Sequence, residues 1–149
     1  MDERSSFFER VKRLSLRDPL PATLGIEYVD GGLGRAVVRM QVRENHLNLH
    51  GTCHGGVIFT VADTAFGLAS NSHGLVAMGI DVHITYHVAA RSGDVLIATA
   101  SEVSRSRKLG VYRIDVTTLE GVLIASFTGT AYVTNRPNDA SVSARVKRS

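Results

Sequence analysis

At 149 residues the chain has the length of one domain, and 44% hydrophobic residues is enough to give that domain a core; without Trp and with only 6% aromatics, the core falls to Val, Ile, Leu and Ala. A net charge of +3, counted with neutral histidines, is too small and too scattered to direct the chain to nucleic acid. A single cysteine, Cys53, rules out an internal disulfide framework, no stretch reaches the roughly 20 apolar residues of a membrane span, and the charged first residues contain no apolar signal segment, so a soluble cytoplasmic protein without a membrane partner is expected.

In chain order, residues 6–16 are predicted to form a helix. Ser6 and Glu9 have capping-box spacing, Phe7, Phe8, Val11 and Leu14 share a face, and Pro19 and Pro21 end it. A hairpin follows: one arm over residues 24–30, a turn at Asp30-Gly31-Gly32, and a second arm over residues 35–43. There Ala36, Val38, Met40 and Val42 alternate with Arg35, Arg39, Gln41 and Arg43, with Val37 the one exception. After a polar loop, residues 54–72 are apolar around most of a helical circumference, which marks a buried helix of about 27 Å. Alternating strands return over residues 76–88, 95–103, 111–119 and 122–133, the last two joined by a tight turn at Glu120-Gly121. Residues 1–136 thus read as one α+β domain in which an antiparallel sheet wraps around one long central helix. Residues 137–149, with Arg145, Lys147 and Arg148, read as a polar, flexible tail. Such a sheet leaves edges open, which makes a dimer that continues it plausible.

The chemistry concentrates around the central helix. Asp63 lies among Val61, Ala62, Ala65 and Phe66, where a carboxylate is costly unless it has partners or a task. Gly56, Thr60, Asp63, Thr64, Gly67 and Asn71 recur at spacings of three and four and form one small or polar stripe, fit for a seam with a second chain. Gly55 and Gly56 fall where the helix begins, and their bare backbone N–H groups can approach a substrate carbonyl. Asp63 and Gly55 would lie about 12 Å apart along one helix, too far to share a carbonyl, so spacing favours a site composed from two chains.

The run NLHGTCHGGVIFTVADTAFGLASNS, from Asn48 to Ser72, resembles the hotdog-fold thioesterases of the phenylacetate-degradation type, the PaaI family. Their pattern, N-x-x-G-x-x-H-G-G followed by a helix carrying an acidic residue, is filled at every fixed position, and the likeness spans residues 24–134. It departs only near Ala89-Ala90, where a proline is expected, which bears on the shape of the acyl or CoA channel there. The resemblance implies a hotdog fold, a homodimer or homotetramer, and hydrolysis of acyl-CoA thioesters at the dimer interface, with phenylacetyl types as substrates. Coenzyme A is then part of the substrate, and no separate cofactor is expected.

On that resemblance Asp63 is the general base or nucleophile, and the Gly55 N–H stabilises the growing oxyanion. Asn48 is to position water or the carbonyl, His54 to orient the helix start and thioester, Thr64 to hold water, and Gly56 to let substrate approach. Each has a structural alternative: a buried interface network for Asp63, an Asx turn for Asn48, a loop brace for His54, packing for Thr64. Arg105, Arg107 and Lys108, on a predicted hairpin loop, would meet the phosphates of CoA, or else form a solvated turn. His46, His50, Cys53 and His54 are of metal-ligand type but match no zinc spacing, and Asp81, His83 and His87 share a strand face by parity; no metal is expected at either. Two other functions fit the fold: a hydroxyacyl-thioester dehydratase pairing His54 with Asp63, and a non-catalytic acyl-CoA-binding protein.

Overall fold

The computed structural model describes residues 2–138. Helix α1 (Glu3–Ser15) begins earlier than the Ser6 signal implies, because Asp2 is the N-cap: its carboxylate accepts the Ser5 N–H at 2.7 Å. Val11 is its fully buried anchor, and Phe8 packs on Tyr28 with ring centroids 5.2 Å apart. Pro19 and Pro21 do not simply terminate the chain's first helix. They open a second one, α2 (Pro19–Leu24), because a proline in the first turn gives up an N–H that would have no helical partner. Gly25, at φ 77°, closes it. Leu24 is therefore helical, and the first strand starts later than predicted.

The hairpin is β1 (Glu27–Gly32) and β2 (Arg35–Gln41). Gly31 and Gly32 stay in the strand, paired with Ala36 and Arg35, and the turn moves to Leu33-Gly34, where Gly34 has φ 70°. Residues 44–46 form a single 3-10 turn within the loop expected there. The central helix α3 (Gly55–Ser70) follows, then β3 (Leu75–Tyr86), β4 (Val95–Arg105), β5 (Leu109–Thr118) and β6 (Leu123–Pro137). All pairings are antiparallel in one sheet of order β1-β2-β4-β5-β6-β3. This is the hotdog arrangement, a sheet curled around one long helix.

Alternation explains the curl. Ala36, Val38 and Met40, Leu96, Ala98 and Ala100, and Tyr112, Ile114 and Val116 all point inward and are buried against α3. The alanines among them let the helix settle close to the sheet. Phe66 is the deepest helical ring, with centroids 5.7 Å from both Tyr112 and Phe127. It lies directly on the sheet backbone at Gly79 and Gly129, where an added Cβ would fall 2.8 Å from the ring.

β3 follows α3 in sequence but takes the outer place beside β6, so its far edge is unpaired among the described residues. The strand is mixed in character: Ile80 is 61% exposed and Met78 48%, and Asp81, His83 and Thr85 are exposed beside them. At the other end of the chain, β6 reaches Pro137 and Asn138 is buried, its amide donating to the Asn71 and Leu75 carbonyls. The predicted tail from residue 139 on, with Arg145, Lys147 and Arg148, lies outside the described residues. No described helix is long and apolar enough to cross a membrane.

Candidate active site

The start of α3 is built by side chains that satisfy one another. Asn48 Oδ1 accepts the N–H groups of His50 (2.8 Å) and Thr52 (3.2 Å), and its Nδ2 donates to Thr52 Oγ1 (3.1 Å), which shapes the loop. His54 is the N-cap of α3, where Nδ1 accepts the Gly56 N–H at 2.8 Å. That bond leaves the two glycines unequal. Gly56 has spent its donor, whereas the Gly55 N–H, at the first helical position, has no partner among the described residues.

Tyr86 closes over Gly55 from the end of β3. Its hydroxyl donates to the Gly55 carbonyl oxygen at 2.8 Å, and its ring stands 3.2 Å from where a Cβ would be. Asn48, Thr52, Gly55 and Tyr86 line a cleft of about 280 Å³ at this point. Tyr86 was not singled out from the sequence, although it shares the inward parity of Val82 and Ile84 and so was bound to face the helix.

Asp63 lies two turns further on. The regular helix places it about 12 Å from its own Gly55. It is exposed in the single chain and makes no hydrogen bond or ion pair among the described residues. Even so, the surrounding protein mass pushes its carboxyl above the ordinary aspartate value, with a smaller contribution from the charge of Asp18. Thr64 donates to the Thr60 carbonyl (2.7 Å) and Thr60 to that of Gly56 (2.9 Å), so both hydroxyls retain only acceptor capacity. The far end of the stripe is structural: Asn71 joins α3 to the sheet through the Gly67 carbonyl and both backbone groups of Ala77. A second and larger cavity, of about 360 Å³, opens beside Thr64; Ile26, Val38 and Leu68 line it, and α2 borders it.

The basic cluster divides. Arg105 ends β4 instead of sitting on the turn, and its guanidinium points inward, donating to the Ser70 carbonyl (3.0 Å) and the Tyr112 hydroxyl (2.9 Å). Tyr112 donates in turn to Glu102 (2.7 Å), whose same oxygen lies 2.7 Å from His73 Nε2. Burial would raise the Glu102 carboxyl, but the bonds from Tyr112 and His73 outweigh it and hold the group below its usual value. Arg105 is thus a member of an internal network, while Arg107 and Lys108 are exposed on the β4–β5 turn.

The other titratable candidates are dispersed. His46 is buried with Nδ1 accepting the Arg43 N–H, and the buried Cys53 thiol is pushed up to about 11 by desolvation, which makes it a poor nucleophile. His50 is exposed, and His87 contacts Ser126 at 2.9 Å. Among the described residues no three potential ligands converge.

Residues 50–125 match the family model of the thioesterase superfamily. A putative esterase of Archaeoglobus fulgidus is 42% identical over 134 residues, 89% of this chain and 87% of its own. The acyl-coenzyme A thioesterase PaaI of Escherichia coli is 37% identical over 77% of this chain and 82% of its own. The structure of E. coli PaaI superposes with a TM-score of 0.87 over 91% of this chain and 99% of that one, at 32% identity. A hypothetical thioesterase of Streptococcus pneumoniae, solved with coenzyme A, superposes with a TM-score of 0.72 over 75% of this chain and 90% of its own, at 32% identity.

Proposed function

The chain belongs to the thioesterase superfamily and is an acyl-CoA thioesterase, and from that premise we propose that it works as a homo-oligomer whose every active site joins Asp63 of one chain to Gly55 of another. The observation that carries this reading is the separation of the two groups. An unpartnered carboxylate and an open backbone donor stand about 12 Å apart on one helix, and a single thioester carbonyl spans nothing like that distance. The unpaired edge of β3 supports the arrangement, because a second copy continuing the sheet there would bring one chain's helix start toward the other chain's Asp63.

In this reading Asp63, ionised, removes a proton from water or attacks the thioester carbonyl itself. The Gly55 N–H meets the oxyanion, whose collapse breaks the C–S bond and releases the CoA thiolate; the thiolate takes up the proton held by Asp63 in the first route, and in the second water opens the acyl-Asp63 anhydride to free acid and carboxylate. A carboxyl raised above its ordinary value is the stronger base for this step. His54 fixes the direction of the Gly55 N–H through the cap, and Asn48 holds the loop behind it. Arg107 and Lys108 are the cations left free for the CoA phosphates. The acyl group enters the cavity beside Thr64, whose 360 Å³ and apolar floor suit an aryl-acetyl group such as phenylacetyl or hydroxyphenylacetyl. A buried, free Cys53 suits the reducing cytoplasm.

Complementation between two inactive variants tests the shared site. Asp63→Asn and Gly55→Pro chains, each inactive alone, are mixed by refolding together. Random pairing leaves half the dimers with one intact site of two, so activity recovers to about a quarter of wild type. Mixed oligomers that form without any recovery would falsify the shared site.

A further inference from the structure

Asp18 occupies the turn between α1 and α2, at the N-cap of α2. An aspartate there ordinarily accepts the N–H of the second or third helical residue. The third is Pro21, which has none, and the Asp18 side chain makes no cap bond. Nor is its charge paired. Lys12 and Arg17 line the same cavities, but neither forms an ion pair with it, and Arg17 donates instead to the Asn138 carbonyl at 2.6 Å.

The carboxylate therefore has no structural partner, yet its position is specific. Asp18 lines the 360 Å³ cavity beside Thr64 and also an adjoining one of about 320 Å³ bordered by Gly67 and Asn71. The shared floor is apolar at Leu68. Of the charged residues around these cavities, Asp18 is the one whose field is felt at Asp63; Glu27 and Lys12 stand on the rim with opposite signs.

We propose that Asp18 is a specificity-determining residue: it faces the acyl group in the cavity beside Thr64, admits uncharged alkyl and aryl groups, and rejects acyl groups that end in a carboxylate. The proposal rests on the reading that this cavity receives the acyl group. Asp18 is exposed on the cavity wall, and at close range like-charge repulsion of this kind is worth about tenfold in affinity.

Calorimetry with hydrolysis-resistant thioethers tests it without requiring turnover. The intact protein is titrated with S-butyl-CoA and S-(3-carboxypropyl)-CoA, then with the S-hexyl and S-(5-carboxypentyl) pair. Wild type is expected to bind the alkyl member of each pair about tenfold more tightly. Asp18→Asn brings the ratio to within about threefold, the ratio within each variant cancelling any change common to both ligands, and Lys12→Met widens it. A ratio unchanged by Asp18→Asn, or near one in wild type, overturns the role of Asp18. Failure of the alkyl group to add affinity over CoA itself overturns the cavity assignment, and Asp18 with it. Discrimination that persists in a protein hydrolysing no acyl-CoA would sink the thioesterase reading and leave Asp18 standing.

Discussion

Tyr86 and Gly55 are joined by a 2.8 Å hydrogen bond from phenol to carbonyl, which ties the open edge strand to the first turn of the central helix. The residue that would feel a second chain docking on β3 is thus the one bonded to Gly55, the proposed oxyanion donor. Tyr86→Phe keeps the ring against Gly55 and loses only the hydroxyl. Its expected effect is a drop in kcat of about three- to tenfold with KM unchanged, alongside a stability loss of about 1 kcal/mol. Steady-state thiol release and urea unfolding read the two separately, and an unchanged kcat would show that the tie does not matter to the chemistry.

Gly55→Pro removes one N–H and sets a ring close against Tyr86. Position 55 is the first of α3, where proline is compatible with a helix, and His54 before it is already extended at ψ 133°. The expected loss is about 100-fold or more in kcat, with unfolding shifted by less than about 2 kcal/mol, since Tyr86 has to give way slightly to the ring. A variant that keeps its activity would remove Gly55 from the oxyanion role.

The central helix and the motif at its start were legible in the sequence because both are local. A long apolar circumference and glycines at fixed spacing need no tertiary context to be recognised. What was not legible depended on partners distant in sequence. Pro19 and Pro21 read as helix breakers until α2 is seen packed near Thr64 and Leu68, where they are first-turn residues. Gly31 and Gly32 carry turn chemistry, yet register with Ala36 and Arg35 keeps them in the strand and hands the turn to Gly34. Arg105 reads as one of three surface cations because nothing nearby in sequence reveals that the Ser70 carbonyl and Tyr112 await it. Asp18 carried no signal at all, since an aspartate before a proline is ordinary helix-cap chemistry.

The raised carboxyl of Asp63 sets the sign of two pH effects. The proposed mechanism needs the ionised form, so kcat/KM is expected to fall on the acid side at a pH above 3.8, the ordinary aspartate value. For stability the sign is opposite to that of a salt-bridged aspartate: the folded state favours the protonated group, an advantage fully present below 3.8 and lost as pH rises through the folded value. Asp63→Asn is therefore expected to unfold at a slightly higher temperature than wild type at neutral pH, by less than about 1 kcal/mol in stability because solvent reaches the group. The difference should vanish below pH 3.8; a variant less stable than wild type at neutral pH would contradict it.

Glu102 behaves in the reverse way. Its folded carboxyl is held below 4.5 by the bonds from Tyr112 and His73 in spite of burial, so its contribution is present above 4.5 and lost as pH falls through the folded value. Glu102→Gln should cost about 1–3 kcal/mol at neutral pH, the range for hydrogen bonds to a charged group, and the gap to wild type should close in acid. Denaturant midpoints measured across pH check both halves. A gap that stays constant would show that the loss comes from shape and not charge.

Phe66 acts as a ruler between helix and sheet. With its ring seated on the bare backbones of Gly79 and Gly129, the spacing of α3 from β3 and β6 is fixed by one aromatic thickness and not by a layer of side chains. No one of these three positions can drift alone: a methyl on either strand has to wait for a smaller residue at 66, and a smaller residue at 66 leaves a void until a strand fills it. The three should change together or not at all among descendants of this chain. The height of the edge strand, onto which a second copy would dock, is inherited as that single unit.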